Sequence, residues 1–200
     1  MDQNKETCVL GVDLAGVPHR PTGMCVLRGL EAETFLSYDD GSILECAERE
    51  APALVAIDAP LNLPPGRRSI EDRNGQHFRS CDLELRRRKI RFFPITLGPM
   101  RDLTVRGIRL KEKLEEGDFR TVEIYPGAAQ DIWGIPRARH DIEALRKGLQ
   151  RLGIKGLKHD LTSHELDAAT GALVGLLFLQ NKAEVCGNFS SGAIILPPAS

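Results

Sequence analysis

The chain of 200 residues has almost no net charge: 27 Lys+Arg against 28 Asp+Glu leave −1. Taken as an average, that balance argues against a polyanionic partner. No Cys-x-x-Cys pair is present. The cysteines, Cys8, Cys25, Cys46, Cys81 and Cys186, are odd in number and scattered, so no disulfide framework is implied. Reduced thiols, mostly buried as small hydrophobes in a cytoplasmic protein, are the expectation. Long apolar runs are missing too. The longest, around Ala172–Leu179, is too short to cross a bilayer, and no membrane partner is expected. The N-terminal MDQNKETC lacks the apolar core of a signal peptide. There is no internal repeat, and the composition excludes disordered and collagen-like classes. One domain over 1–200 is expected, large enough to bury roughly 70% of its unfolded surface without metal or disulfide.

The charge that is present is unevenly placed. Residues 1–66 carry 4 Lys+Arg and 11 Asp+Glu, whereas 67–109 carry 12 Lys+Arg and 5 Asp+Glu, and eleven of those twelve bases are Arg. Arg presents a planar fork to phosphate or carboxylate. Either the two blocks neutralise one another in the fold, or a carboxylate site lies beside a polyanion-binding surface.

Short apolar runs predict strands at Val9–Leu14, Met24–Leu27, Thr34–Tyr38 and Leu54–Ile57, with a helix over Ile43–Glu50 capped by Ser42. Three strands, a helix and a fourth strand suggest a meander followed by a parallel crossover. Helices are predicted over Ser80–Lys89, Arg101–Glu116, Gly127–Trp133 and Ile142–Leu152. A long one is capped at Thr162 or Ser163 and runs to about Asn181. Further strands are predicted at Thr121–Ile124 and Gly192–Leu196.

Three of the strands carry one acid each at or near the carboxyl end: Asp13, Asp58 and Glu123. Singly, such an acid is a turn former or the cap of the next element. Together they suggest convergence at the edge where parallel sheets bind ligands. His164 and Asp167, three apart, share a face of the last helix, and Asp160 joins them if the helix starts early. The small residues Ala168, Ala169, Gly171, Ala172 and Gly175 would let that helix pack closely on the sheet. Clustered carboxylates call for a cation, and hard oxygen ligands favour Mg²⁺ or Mn²⁺ held by Asp13, Asp58, Glu123 and Asp167. Arg79, Arg86, Arg87 and Arg88 would then grip phosphates. The plainer alternatives are a packed helix histidine at 164 and a solvated helix face at 86–88.

GVDLAG with RPTG, VAIDAPLNLP, RSCDLELR, VEIYP, HELDA and GAIILP occur in this order. They resemble the uncharacterised-domain family of predicted nucleases with an RNase H-like fold, over nearly the whole chain from Gly11 to Pro197. The resemblance implies an α/β fold, an RNase H-like mixed sheet flanked by helices; the Arg-rich and mostly helical insertion (62–118) expected after the fourth strand comes from this sequence and is not a shared resolvase feature. In the wider group the resemblance implies acids on the first strand, the fourth strand and the last helix, which Asp13, Asp58 and Asp167 match. The pair His164 and Asp167 resembles the helix signature of RuvC-type Holliday-junction resolvases, while Glu123 matches only the nearer family. The family's R-x-C-D stretch matches Arg79, Cys81 and Asp82, and suggests a substrate-gripping Arg held by Asp82.

The expected function is metal-dependent hydrolysis of phosphodiesters, with nucleic acid as substrate. Catalytic roles fall to Asp13, Asp58, Glu123, His164 and Asp167, and substrate binding to Arg79, Asp82, Arg86 and Arg87. Two alternatives stay open: an actin- or sugar-kinase-like nucleotide-binding protein, and a non-catalytic binding module that keeps the acid cluster.

Overall fold

The structure, a computed structural model, describes residues 6–198. Strands β1 (Cys8–Asp13), β2 (Thr22–Arg28) and β3 (Glu31–Ser37) form the meander; α1 (Asp40–Glu50) leads to β4 (Leu54–Asp58). Then come α2 (Ser80–Arg87), α3 (Pro99–Glu116), β5 (Thr121–Glu123), α4 (Pro126–Ile132), α5 (Ile142–Arg151) and α6 (Ser163–Leu179). A hairpin of β6 (Glu184–Asn188) and β7 (Gly192–Leu196) closes the described chain. The main sheet runs β3-β2-β1-β4-β5, antiparallel among the first three strands and parallel across β1, β4 and β5.

Both faces of this sheet are covered, which is why its central strands read as continuous apolar runs. Along β1 and β4 alternate side chains divide between two cores. Val9, Leu54 and Ala56 pack under α6, while Leu10, Val12, Val55 and Ile57 pack with Ile43 of α1 and Leu110 and Leu114 of α3. Helix α3 is thus the crossover that a parallel β4–β5 pair requires.

The helix boundaries move where side chains cap differently from the simplest reading. Helix α1 starts at Asp40, because Asp39 rather than Ser42 is the cap and accepts from Ser42 N at 2.8 Å. Helix α6 starts at Ser163, which leaves Asp160 outside it. Strand β6 carries no predictive pattern: only Cys186 in EVCGN is buried. The predicted last strand pairs with β6 in a separate two-stranded sheet, joined to the end of β5 by one bridge, Ile124 to Ile195. Among the described residues the strands form one five-stranded and one two-stranded sheet. All five cysteines are buried. No helix among the described residues is long and apolar enough to cross a membrane.

Candidate active site

Asp13 ends β1, Asp58 ends β4, and the parallel register sets the two opposite each other. They continue the pleat of Val9 and Ala56, so both belong to the face covered by α6. Helix α6 can come close because Gly11 and Gly23 lack side chains. A Cβ on Gly11 would stand 2.1 Å from the Ala168 carbonyl oxygen, and one on Gly23 would stand 2.0 Å from that of His164. The start of α6 is fixed by a capping box. Thr162 Oγ1 accepts from Glu165 N, and the Glu165 carboxylate accepts from Thr162 N at 2.9 Å. Glu165 also accepts from Thr34 Oγ1 of β3 at 3.2 Å.

This seating brings His164 and Asp167 to the strand ends. His164 Nδ1 lies 2.6 Å from Asp13 Oδ2, and its side chain remains 44% exposed. Asp167 accepts from Gln130 Nε2 at 2.6 Å, and the same nitrogen reaches Thr170 Oγ1 at 3.2 Å. Gln130 escapes sequence reasoning. Its only signal is a lone amide in the apolar first turns of α4, where the structure buries it.

The charges in this cleft are unbalanced. Burial, and then the charges of Asp13, Asp167 and Glu123, raise the Asp58 pKa well above the carboxylate range, and Asp58 shares a hydrogen bond with Asp13. Burial, and then the Asp13 charge, push Asp167 up to about 6 against the opposing pull of Gln130, His164 and Arg137. The hydrogen bond to Asp13 raises the His164 pKa. Among the described residues no Lys or Arg forms an ion pair with Asp13, Asp58 or Asp167; His164 is the one cationic partner. Three carboxylates without a matching cation suit a hard divalent ion chemically. Among the described residues, however, no three His, Cys, Asp or Glu side chains are arranged as a formed metal site. The acids are held instead by shared hydrogen bonds, which an arriving cation has to replace.

Glu123 faces the other side of the sheet, although its charge still acts on Asp58. Its register partner is Ile57, so it continues the opposite pleat, toward α1 and α3. There it accepts from Leu61 N at 2.8 Å and binds Arg79 through both oxygens, at 2.6 and 2.9 Å. Burial still leaves its pKa raised, although Arg79 pulls it down. Arg79 is itself only 2% exposed and also donates to both oxygens of Asp82, at 3.1 and 2.9 Å. Asp82 in turn accepts from Arg79 N and so caps α2. Arg79 and Asp82, the expected phosphate grip, lie in the structure in a buried Glu123–Arg79–Asp82 lock. Arg87 is exposed and paired with Glu84; Arg88 bridges Glu84 and Glu184. Arg86 lies over the Phe78 ring at 5.0 Å, with no carboxylate partner among the described residues.

A family model described as "Protein of unknown function (DUF429)" matches residues 11–186. Among solved structures the chain is similar to one titled "Thermus thermophilus RuvC structure", with a TM-score of 0.50 and 13% identity, over 94% of this chain and 99% of that one. At that identity the likeness establishes the fold. No curated protein matches the chain.

Proposed function

The chain belongs to the DUF429 family, and on its RuvC-like fold we propose that it hydrolyses phosphodiester bonds of nucleic acid with the help of Mg²⁺ or Mn²⁺. The observation that carries this reading is the convergence of Asp13, Asp58 and Asp167 from β1, β4 and α6, none of which forms an ion pair with a Lys or Arg among the described residues. A bound divalent ion would supply the missing positive charge, acidify a water and stabilise charge on the phosphate.

Asp13, Asp58 and Asp167 would hold the ion, each through a hard carboxylate oxygen. Gln130 is a positioning residue that fixes the rotamer of Asp167. His164 orients Asp13 through Nδ1 and, being partly exposed, can pass a proton between the reacting water and solvent. Glu123 is left out of the ligand set. With Arg79 and Asp82 it ties the segment after β4 to β5, through its acceptor role toward Leu61 N, and so fixes the backbone just beyond Asp58. We read 1–200 as one domain whose Arg-rich 62–118 elaborates the β4–β5 connection. A reducing, cytoplasmic setting accords with five buried cysteines.

The test is cleavage of RNA, DNA, hybrid and branched oligonucleotides in Mn²⁺ by wild type, Asp13→Asn and Asp58→Asn. Each variant is expected to lose at least about 100-fold, the scale of removing one preorganised electrostatic group. Equal background from wild type and variants rejects the nuclease reading and leaves a non-catalytic module.

A further inference from the structure

The hollow that holds Asp58 and Asp167, about 530 Å³, has Tyr125, Arg137 and Arg139 on its wall. The same three residues form one side of a larger groove of about 840 Å³, whose far side carries Arg86, Lys89 and Arg91 beside Phe92 and Phe93. The two hollows therefore make one path that starts at the carboxylates. Beyond the carboxylates its charge is mostly positive. Asp131 is the only acid lining the larger groove, and Arg137 binds it through both oxygens, at 3.0 and 2.5 Å. Among the described residues Arg86, Lys89, Arg91 and Arg139 form no ion pair. Four unneutralised cations along a groove are the footprint of a chain of phosphates.

The aromatic side chains separate the kinds of nucleic acid. Phe93 is 76% exposed, the most of the large hydrophobic side chains among the described residues. Tyr125 is anchored at the groove wall by its hydroxyl, which donates to the Arg91 carbonyl at 2.7 Å, and the Arg137 guanidinium lies 5.7 Å over its ring. Exposed ring faces between cations bind unstacked bases; a duplex keeps its base faces covered. We propose that this groove is a binding track for single-stranded nucleic acid, with the backbone along Arg139, Lys89 and Arg91 and a base against Phe93. It deepens the hydrolytic reading, on which it rests for what happens at the acids, but binding along the track requires no cation at the acids.

The test is fluorescence anisotropy of labelled 20-nucleotide DNA and RNA single strands and the matching duplex, in EDTA. Wild type is expected to bind a single strand of at least one sugar tenfold or more tighter than duplex. Arg91→Glu and Arg139→Glu should each weaken it at least tenfold and flatten its salt dependence by about 0.7 log units per log unit of salt for each phosphate no longer neutralised. Phe93→Ala should weaken single strands at least fivefold, the low end of one base stacked on an aromatic ring, and leave duplex unchanged. Arg151→Glu, exposed on α5 away from the groove, should stay within twofold. Equal affinity for duplex, an equal loss in Arg151→Glu, or displacement of the strand by polyglutamate at equal charge overturns the proposal. Binding as described with no cleavage in Mn²⁺ overturns the hydrolytic reading and leaves the track standing.

Discussion

Arg79 shows how the surroundings of one side chain stay hidden in the sequence. An Arg set three residues before an Asp, in an Arg-rich block, reads as a phosphate grip; the fold places it between two carboxylates and seals it from solvent. Breaking a buried ion pair from one side strands the other charges. Arg79→Met is therefore expected to destabilise the protein by about 3–5 kcal/mol in urea denaturation; a loss below about 1 kcal/mol would contradict the lock. Asp167 makes the opposite kind of statement. Its folded pKa of about 6 lies above the ordinary 3.8, so the folded state holds more protons across that interval. Its ionisation penalty is present above pH 6 and vanishes below about pH 4. Without divalent ions, lowering the pH from 7.5 to 4.5 should stabilise wild type relative to Asp167→Asn, by up to about 2 kcal/mol. Saturating Mn²⁺ should abolish that difference in slope. A wild-type slope equal to that of Asp167→Asn at zero metal would show that the acids are not in electrostatic contact.

At the scale of elements, α6 does most to assemble the site, since its seating on Gly11 and Gly23 carries His164 and Asp167 to the strand ends. Gly11→Ala forces a Cβ into the Ala168 carbonyl and should cost about 3 kcal/mol, the upper range of overpacking. It should also lower cleavage activity beyond its effect on stability. Thr162→Ala removes the cap and should cost about 1 kcal/mol. Denaturation midpoints check both; a Gly11→Ala protein as stable as wild type would mean that α6 can slide on the sheet.

The same elements explain what is readable in the chain before it folds. VLGVD and LVAID announce themselves because both faces of β1 and β4 are buried, and each run ends on one of the acids of the proposed site. TSHELD shows both the cap and the helix face that carries His164 and Asp167. Glu123 is easily misplaced because a three-residue strand does not reveal its pleat; that comes only from its pairing with β4. Strand β6 is hidden because its burial comes from β7 and α2 rather than from its own alternation. Gln130 is hidden because its partners, Asp167 and Thr170, lie 37 and 40 residues away.

For the whole molecule, the near-zero net charge conceals a division of labour among the bases. Arg79, Arg88 and Arg106 pair with acids from other parts of the chain and knit the segment between β4 and β5 to the domain, while Arg101 pairs with Glu71 inside that segment. Arg86, Lys89 and Arg91 form no ion pair among the described residues and, with Arg139 from beyond β5, line the groove that leads to the acids. Negative cleft and positive groove are adjacent, so a polyanion drawn along the groove meets the carboxylates only if a cation sits among them. The most direct measurement is therefore a crystal soaked in Mn²⁺ and read by anomalous scattering. The account predicts a peak within about 2.2 Å of carboxylate oxygens of Asp13, Asp58 and Asp167, absent in Asp13→Asn. No peak at saturating Mn²⁺, or peaks only at exposed surface acids, would contradict it.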